Sequence, residues 1–169
     1  MIILPRHNAV FVSQSRCCTE TMHEALQADY GGIRVGDNAH DNTVPWQFRH
    51  WYTFAIVRNP FDRVVSLWKW DDMGMTLPEF CRWLVNESVS PLPQAHWLAK
   101  VNLTTTLPFE RFPECLAWLP FWRGTKVPHR HKTEHKPFTE YITPTIRADI
   151  VTWADCSFDK FGYDRDSVT

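Results

Sequence analysis

Apolar positions along the chain follow two periods. From Tyr52 to Val57 the residues are β-branched or aromatic except for Ala55, the mark of a buried strand. Asn59-Pro60 interrupts that run, and Phe61, Val64, Val65 and Trp68 then recur at helical spacing with Pro60 at the first helical position. Strand, tight turn and helix are therefore expected in immediate succession. Ala9 to Val12 is a second short apolar run, read as the first central strand. It is followed by the loop Ser13–Thr19 and a helix over Thr21–Tyr30 that Gly31-Gly32 ends. Residues 31–50 are rich in Gly, Asn, Asp and Pro and carry no period.

Further along, Asp71-Asp72-Met73-Gly74 reads as a turn. Thr76-Leu-Pro-Glu79 is a capping box opening a helix that buries Phe80, Trp83 and Leu84. Ser90–Pro93 is a linker, Gln94–Lys100 a short helix and Asn102–Leu107 a Thr-rich strand. Phe112, Cys115, Leu116 and Leu119 give one apolar face. Thr143-Pro144 caps a last helix carrying Ile146, Ile150, Val151 and Trp153. Strands alternating with helices define an α/β class with a central parallel sheet, and neither a repeat nor a second domain interrupts residues 1–169.

Composition narrows the function. With 169 residues and a net charge of −1, the chain suits one compact domain and has no global field directed at nucleic acid or membrane. Any anion must be held by a few local Arg and Lys residues. Five Cys without a CxxC pair argue against a disulfide framework or a thiolate metal site. No apolar run approaches a membrane span, and Met1-Ile-Ile-Leu-Pro-Arg6 turns polar too soon for a signal peptide, so a cytoplasmic location is expected. Nine Trp and eleven Phe make the chain aromatic-heavy; most are expected in the core and some along a ligand cleft.

The candidate chemistry lies in two strand–loop–helix junctions. Arg58 follows the Tyr52–Val57 strand at its carboxyl end, where α/β sheets bind ligands, and Ser66 lies two turns into the next helix. A guanidinium fork and a hydroxyl on one spot suit a phosphate. The plainer alternative is an arginine paired with a neighbouring carboxylate. At the first junction, Arg16, Cys17, Cys18 and Thr19 precede a helix N-terminus, the arrangement that offers backbone N–H groups to a phosphate. Adjacent thiols make poor chelators, so Cys17 and Cys18 are read as small loop residues.

Arg58-Asn-Pro-x-x-Arg63-x-x-Ser66 resembles the 3′-phosphate signature of sulfotransferases that use 3′-phosphoadenosine-5′-phosphosulfate (PAPS). The Ser13–Thr19 loop resembles the same family's 5′-phosphosulfate loop. Arg16 stands at its basic position and Thr19 at a hydroxyl position, while Cys17, Cys18 and Glu20 depart from the small residues and hydroxyls usual there. Phe109–Phe112 and Phe158–Tyr163 resemble later family segments, so the likeness runs from about Val10 to Tyr163.

The resemblance implies a fold related to P-loop kinases and a sulfuryl transfer from PAPS, leaving PAP, to a hydroxyl of a glycan or small molecule, without a metal. It assigns Arg16, Cys17, Cys18, Thr19, Glu20 and Thr21 to the 5′ end and Arg58 and Ser66 to the 3′-phosphate. Arg130 and Lys132 become parts of a cationic lid. His40, in the connector before the 3′-phosphate strand, is the first candidate for the base, with His50 and Glu20 as alternatives. Rival readings are a non-catalytic PAP-binding relative, a P-loop kinase-like phosphotransferase, and a zinc module built on His129, His131 and His135. The phosphotransferase lacks its Gly-x-x-x-x-Gly-Lys signature.

Overall fold

A computed structural model describes residues 1–36, 40–71, 73–87, 91–127 and 136–167. The chain forms two compact units, one from Met1–Val57 and Leu98–Lys132, the other from Arg58–Trp97 and Thr133–Thr169.

The first unit holds a five-stranded sheet among the described residues. Its strands are β1 (Ile2–Leu4), β2 (Ala9–Phe11), β3 (Ile33–Arg34), β4 (Tyr52–Val57) and β5 (Thr105–Pro108), in the order β3-β1-β2-β4-β5. Connection length decides direction. Only the turn Pro5–His7 and a left-handed Asn8 separate β1 from β2, too little chain for a crossover, so the two pair antiparallel. Between β2 and β4 the chain passes through helix α1 (Thr19–Tyr30) and the connector, and these strands pair parallel, as do β4 and β5. The expected parallel sheet is therefore the core β2-β4-β5, extended by β1 and β3, which pair antiparallel with each other.

Strand β4 lies inside that sheet, and Phe54, Ala55, Ile56 and Val57 are all buried, which is why its sequence reads as a continuous apolar run. One core cluster gathers Ile2, Leu4, Phe11, Met22, Leu26, Phe54, Ile56 and Leu107. The apolar face around Leu116 lies on short 3-10 turns (Phe109–Arg111 and Glu114–Trp118), each following a proline. Gly31 closes α1 in the left-handed conformation and donates its N–H to Leu26 O.

The second unit is helical: α2 (Pro60–Asp71), α3 (Leu77–Asn86), α4 (Gln94–Trp97) and α5 (Pro144–Phe161). Its core joins Phe61, Val64 and Val65 with Phe80 and Leu84 and with Ile146, Ile150, Ala154 and Phe158. Thr76 and Glu79 form the capping box: the Thr76 amide and hydroxyl both donate to Glu79 Oε2, at 2.8 and 2.7 Å. The Thr143 hydroxyl accepts from Ile146 N at 3.3 Å to open α5. Along α5 the buried stripe is Ile146, Ile150, Ala154 and Phe158, four residues apart, while Val151 and Trp153 are half-buried beside it. Among the described residues no helix is long and apolar enough to cross a membrane. Asp72 and Ser90, assigned above to a turn and a linker, lie outside the described residues.

Candidate functional site

The first junction, Ser13–Thr19, is held by side chains that reach backbone. Gln14 is buried and donates through Nε2 to Ile56 O at 2.7 Å, which ties the loop to β4. Thr19 Oγ1 donates back to Gln14 O at 2.8 Å, so the hydroxyl assigned to a phosphate also closes the loop on itself. Ser13 Oγ meets Nε2 of the buried His23 at 3.2 Å. Arg16 and Cys18 stand at φ 63° and 55°, left-handed positions usually filled by glycine. Cys18 is also the N-cap of α1 and supplies no side-chain cap. A left-handed residue entering a helix turns successive N–H groups toward one side, the geometry that suits an anion.

Cys17 is buried against the sheet core, and none of the five cysteines forms a disulfide. Glu20 is exposed in the first turn of α1, where a carboxylate complements the helix dipole, and Thr21 is buried.

Burial pushes the His23 imidazole down to about 4, helped by the positive charges of the chain's amino terminus and of Arg34. His23 is thus neutral near pH 7 and serves as a fixed hydrogen-bond partner for Ser13. His40 lies within electrostatic reach of His23. His40 is half-buried, whereas His50 is exposed and its Nε2 takes a hydrogen bond from Arg49 Nε at 3.2 Å.

The second junction is built differently. Val57 closes the β4 ladder opposite Pro108, which has no N–H to continue it. Arg58 comes next and is buried. Its Nε donates to Asp62 Oδ2 at 2.6 Å, the carboxylate pairing anticipated as the plainer alternative. That pair fixes the plane of the guanidinium fork. Asn59 Oδ1 accepts from Phe61 N at 2.9 Å and caps α2. Asp62 and Ser66 are four residues apart on one face of α2, and Ser66 is buried.

Sequence reasoning missed Gln94 here, and quoted Arg63 only as a letter of the motif, without a role. Gln94 Oε1 accepts from Arg58 N at 2.9 Å, and Gln94 Nε2 donates to Arg58 O at 2.6 Å. Arg63 Nη1 donates to Leu92 O at 3.0 Å and its guanidinium lies 5.7 Å from the Trp153 ring centroid, so the second arginine of the motif braces the α4 entry. The signal for Arg63 was its place in the motif, and for Gln94 an amide beside an apolar stretch.

Arg130 and Lys132, with His129, His131 and His135, lie outside the described residues. Among the described residues no group of His, Cys, Asp and Glu is placed to hold a metal ion.

No curated protein and no solved structure matches the chain significantly. The model of the Sulfotransferase family matches residues 8–153, a span that contains both junctions. On that match, which takes in most of its length, the chain belongs to the sulfotransferase family.

Proposed function

We propose that this protein transfers a sulfuryl group from PAPS to an acceptor hydroxyl on a carbohydrate or small glycoside, in the cytoplasm and without a metal. The observation that carries the reading is the family match over residues 8–153, which includes the Arg16 loop and the Arg58 turn in the expected order. The match also runs through both compact units, which supports reading residues 1–169 as a single functional domain.

PAPS supplies an activated sulfuryl group whose leaving side is a phosphate. In the transfer the acceptor oxygen forms a bond to sulfur, the sulfur–oxygen bond to the 5′-phosphate breaks, and the acceptor proton passes to a base. Negative charge therefore grows on the phosphate side, and groups poised there lower the barrier. Arg16, the backbone around Cys17 and Cys18, and the first turn of α1 with Thr19 and Thr21 are the candidates for holding that charge. Arginine stays protonated, so Arg16 acts by charge rather than as an acid. Arg58 and Ser66 hold the 3′-phosphate. Arg130 and Lys132 would cover the nucleotide. His40 takes the acceptor's proton, with Glu20 and His50 as alternatives.

A thermal-shift series with PAP, PAPS, ATP and adenosine 5′-phosphate tests the cofactor. PAP should stabilise the protein far more than adenosine 5′-phosphate, and equal shifts would sink the 3′-phosphate assignment. The bond from Thr19 Oγ1 to Gln14 O favours a second reading, a binding-only relative, because that hydroxyl's proton is engaged within the loop. PAP binding without turnover on any hydroxyl acceptor would select it.

A further inference from the structure

We infer that Gln94 is the positioning residue for Arg58, and that selectivity for the 3′-phosphate depends on it. This rests on the reading of Arg58 given above. Gln94 opens α4, is 1 % exposed, and lies thirty-six residues from Arg58 in the chain. One side-chain amide meets both backbone groups of a single residue: Oε1 takes the Arg58 N–H at 2.9 Å and Nε2 gives to the Arg58 carbonyl at 2.6 Å. A strand neighbour would serve these two groups in the same way. The β4 ladder stops one residue earlier, opposite Pro108. Only a carboxamide carries a donor and an acceptor at this separation. Ionised glutamate has no donor, lysine has no acceptor, and an apolar residue would leave two desolvated backbone groups without these bonds.

The segment that carries Gln94 is itself pinned on both sides. Leu92 O receives Arg63 Nη1 at 3.0 Å, and Ala95 N donates to Ser157 Oγ at 3.0 Å. Arg63 is buried against Trp153. The two arginines of the motif thus have different tasks. Arg63 holds the segment, the segment holds Gln94, and Gln94 fixes the Arg58 backbone while Asp62 fixes its side chain at Nε. A bidentate grip on phosphate needs the guanidinium plane set in advance. A small rotation of the Arg58 peptide would move the far end of that long side chain out of register.

Calorimetry with two probes, PAP and adenosine 5′-phosphate, tests this on the full chain. Gln94→Met keeps the length and removes both bonds. It should weaken PAP about tenfold while adenosine 5′-phosphate binds within about twofold of wild type. In an Arg58→Ala background the same change should cost almost nothing further, since the loss acts through Arg58. Gln94→Glu, which retains the acceptor for the Arg58 N–H, serves as second variant should Gln94→Met not fold, and the same selective loss is expected. A merely structural role would lower both affinities together, and that result overturns the inference. So does a selective loss in Arg58→Ala with none in the Gln94 variants. Unchanged PAP affinity in Arg58→Ala overturns the 3′-phosphate reading itself, and this inference with it.

Discussion

The two strand–loop–helix junctions make an instructive pair. At the first, between β2 and α1, the loop is long and two non-glycine residues, Arg16 and Cys18, are left-handed. Its pins are local or reach the neighbouring strand: Thr19 to Gln14, and Gln14 to Ile56. At the second, between β4 and α2, the turn is two residues long and has no left-handed position. Asn59 caps the helix and Gln94 supplies the missing ladder partners from far along the chain. The first junction presents backbone and accepts strain to do so. The second presents a side chain and keeps its backbone relaxed. Substitutions should therefore act on conformation at the first and on affinity at the second.

The largest effect should come from neither junction's anion ligands. His40→Ala should lower sulfuryl transfer about a hundredfold or more, with PAP affinity retained, as steady-state kinetics and calorimetry together would show. Near-wild-type turnover would move the base to Glu20 or His50.

Next is Arg58→Ala, which removes a charge-assisted contact of about 1.5–3 kcal/mol and should weaken PAP about ten- to a hundredfold, with a lower melting temperature because the pair with Asp62 is lost as well. The Arg16 pair of variants comes third and tests the comparison directly. Arg16→Ala and Arg16→Gly both remove the charge and should lower kcat more than nucleotide affinity. Only glycine relieves the left-handed strain, about 1–2 kcal/mol, so Arg16→Gly should melt above Arg16→Ala. Equal melting temperatures would remove strain from the account of the first junction.

A fourth test uses pH. The folded His23 imidazole titrates near 4, below the ordinary 6.5 of an unfolded chain. Between those values the unfolded state binds the extra proton, so stability is unaffected above about pH 6.5 and falls as pH drops toward 4. The full loss is on the order of 3 kcal/mol. In His23→Gln, which can still bond Ser13 but does not titrate, this slope should largely vanish from urea denaturation measured across that range. The smallest effect is Cys18→Gly, expected to raise stability by less than about 1 kcal/mol, since glycine's extra chain entropy offsets part of the relief.

What the sequence made legible was local. The strand Tyr52–Val57, the start of α2 at Pro60, the Thr76–Glu79 box and the Thr143 cap each follow from a few adjacent residues, and each stands where the pattern put it. Strands β1 and β3 did not announce themselves, because two or three residues carry no period, and only the β1–β2 pairing follows from a local turn, at Pro5. The Arg58 motif was legible as a string. The environment that orients it was not, since Gln94 acts on backbone atoms thirty-six residues away and backbone partners leave no mark in side-chain type. His23 was missed for a related reason: on a helical stripe it reads as one more core position.

The last described residues hold a further consequence. Asn59 Nδ2 also donates to Ser167 Oγ at 3.3 Å, so the cap of α2 leans on residues 163–167. That segment is fastened by ions near the surface: Arg165 meets Asp155 and Asp159 at 2.6 and 2.8 Å, and Arg147 pairs with Asp166. Such pairs are screened within about 8 Å at physiological ionic strength and far more strongly in molar salt. The Gln94 amide is neutral and buried, and salt does not reach it. Raising the ionic strength should therefore loosen the outer fastening of the turn while its inner one holds, dividing the support of a single arginine into a salt-labile part and a salt-indifferent part.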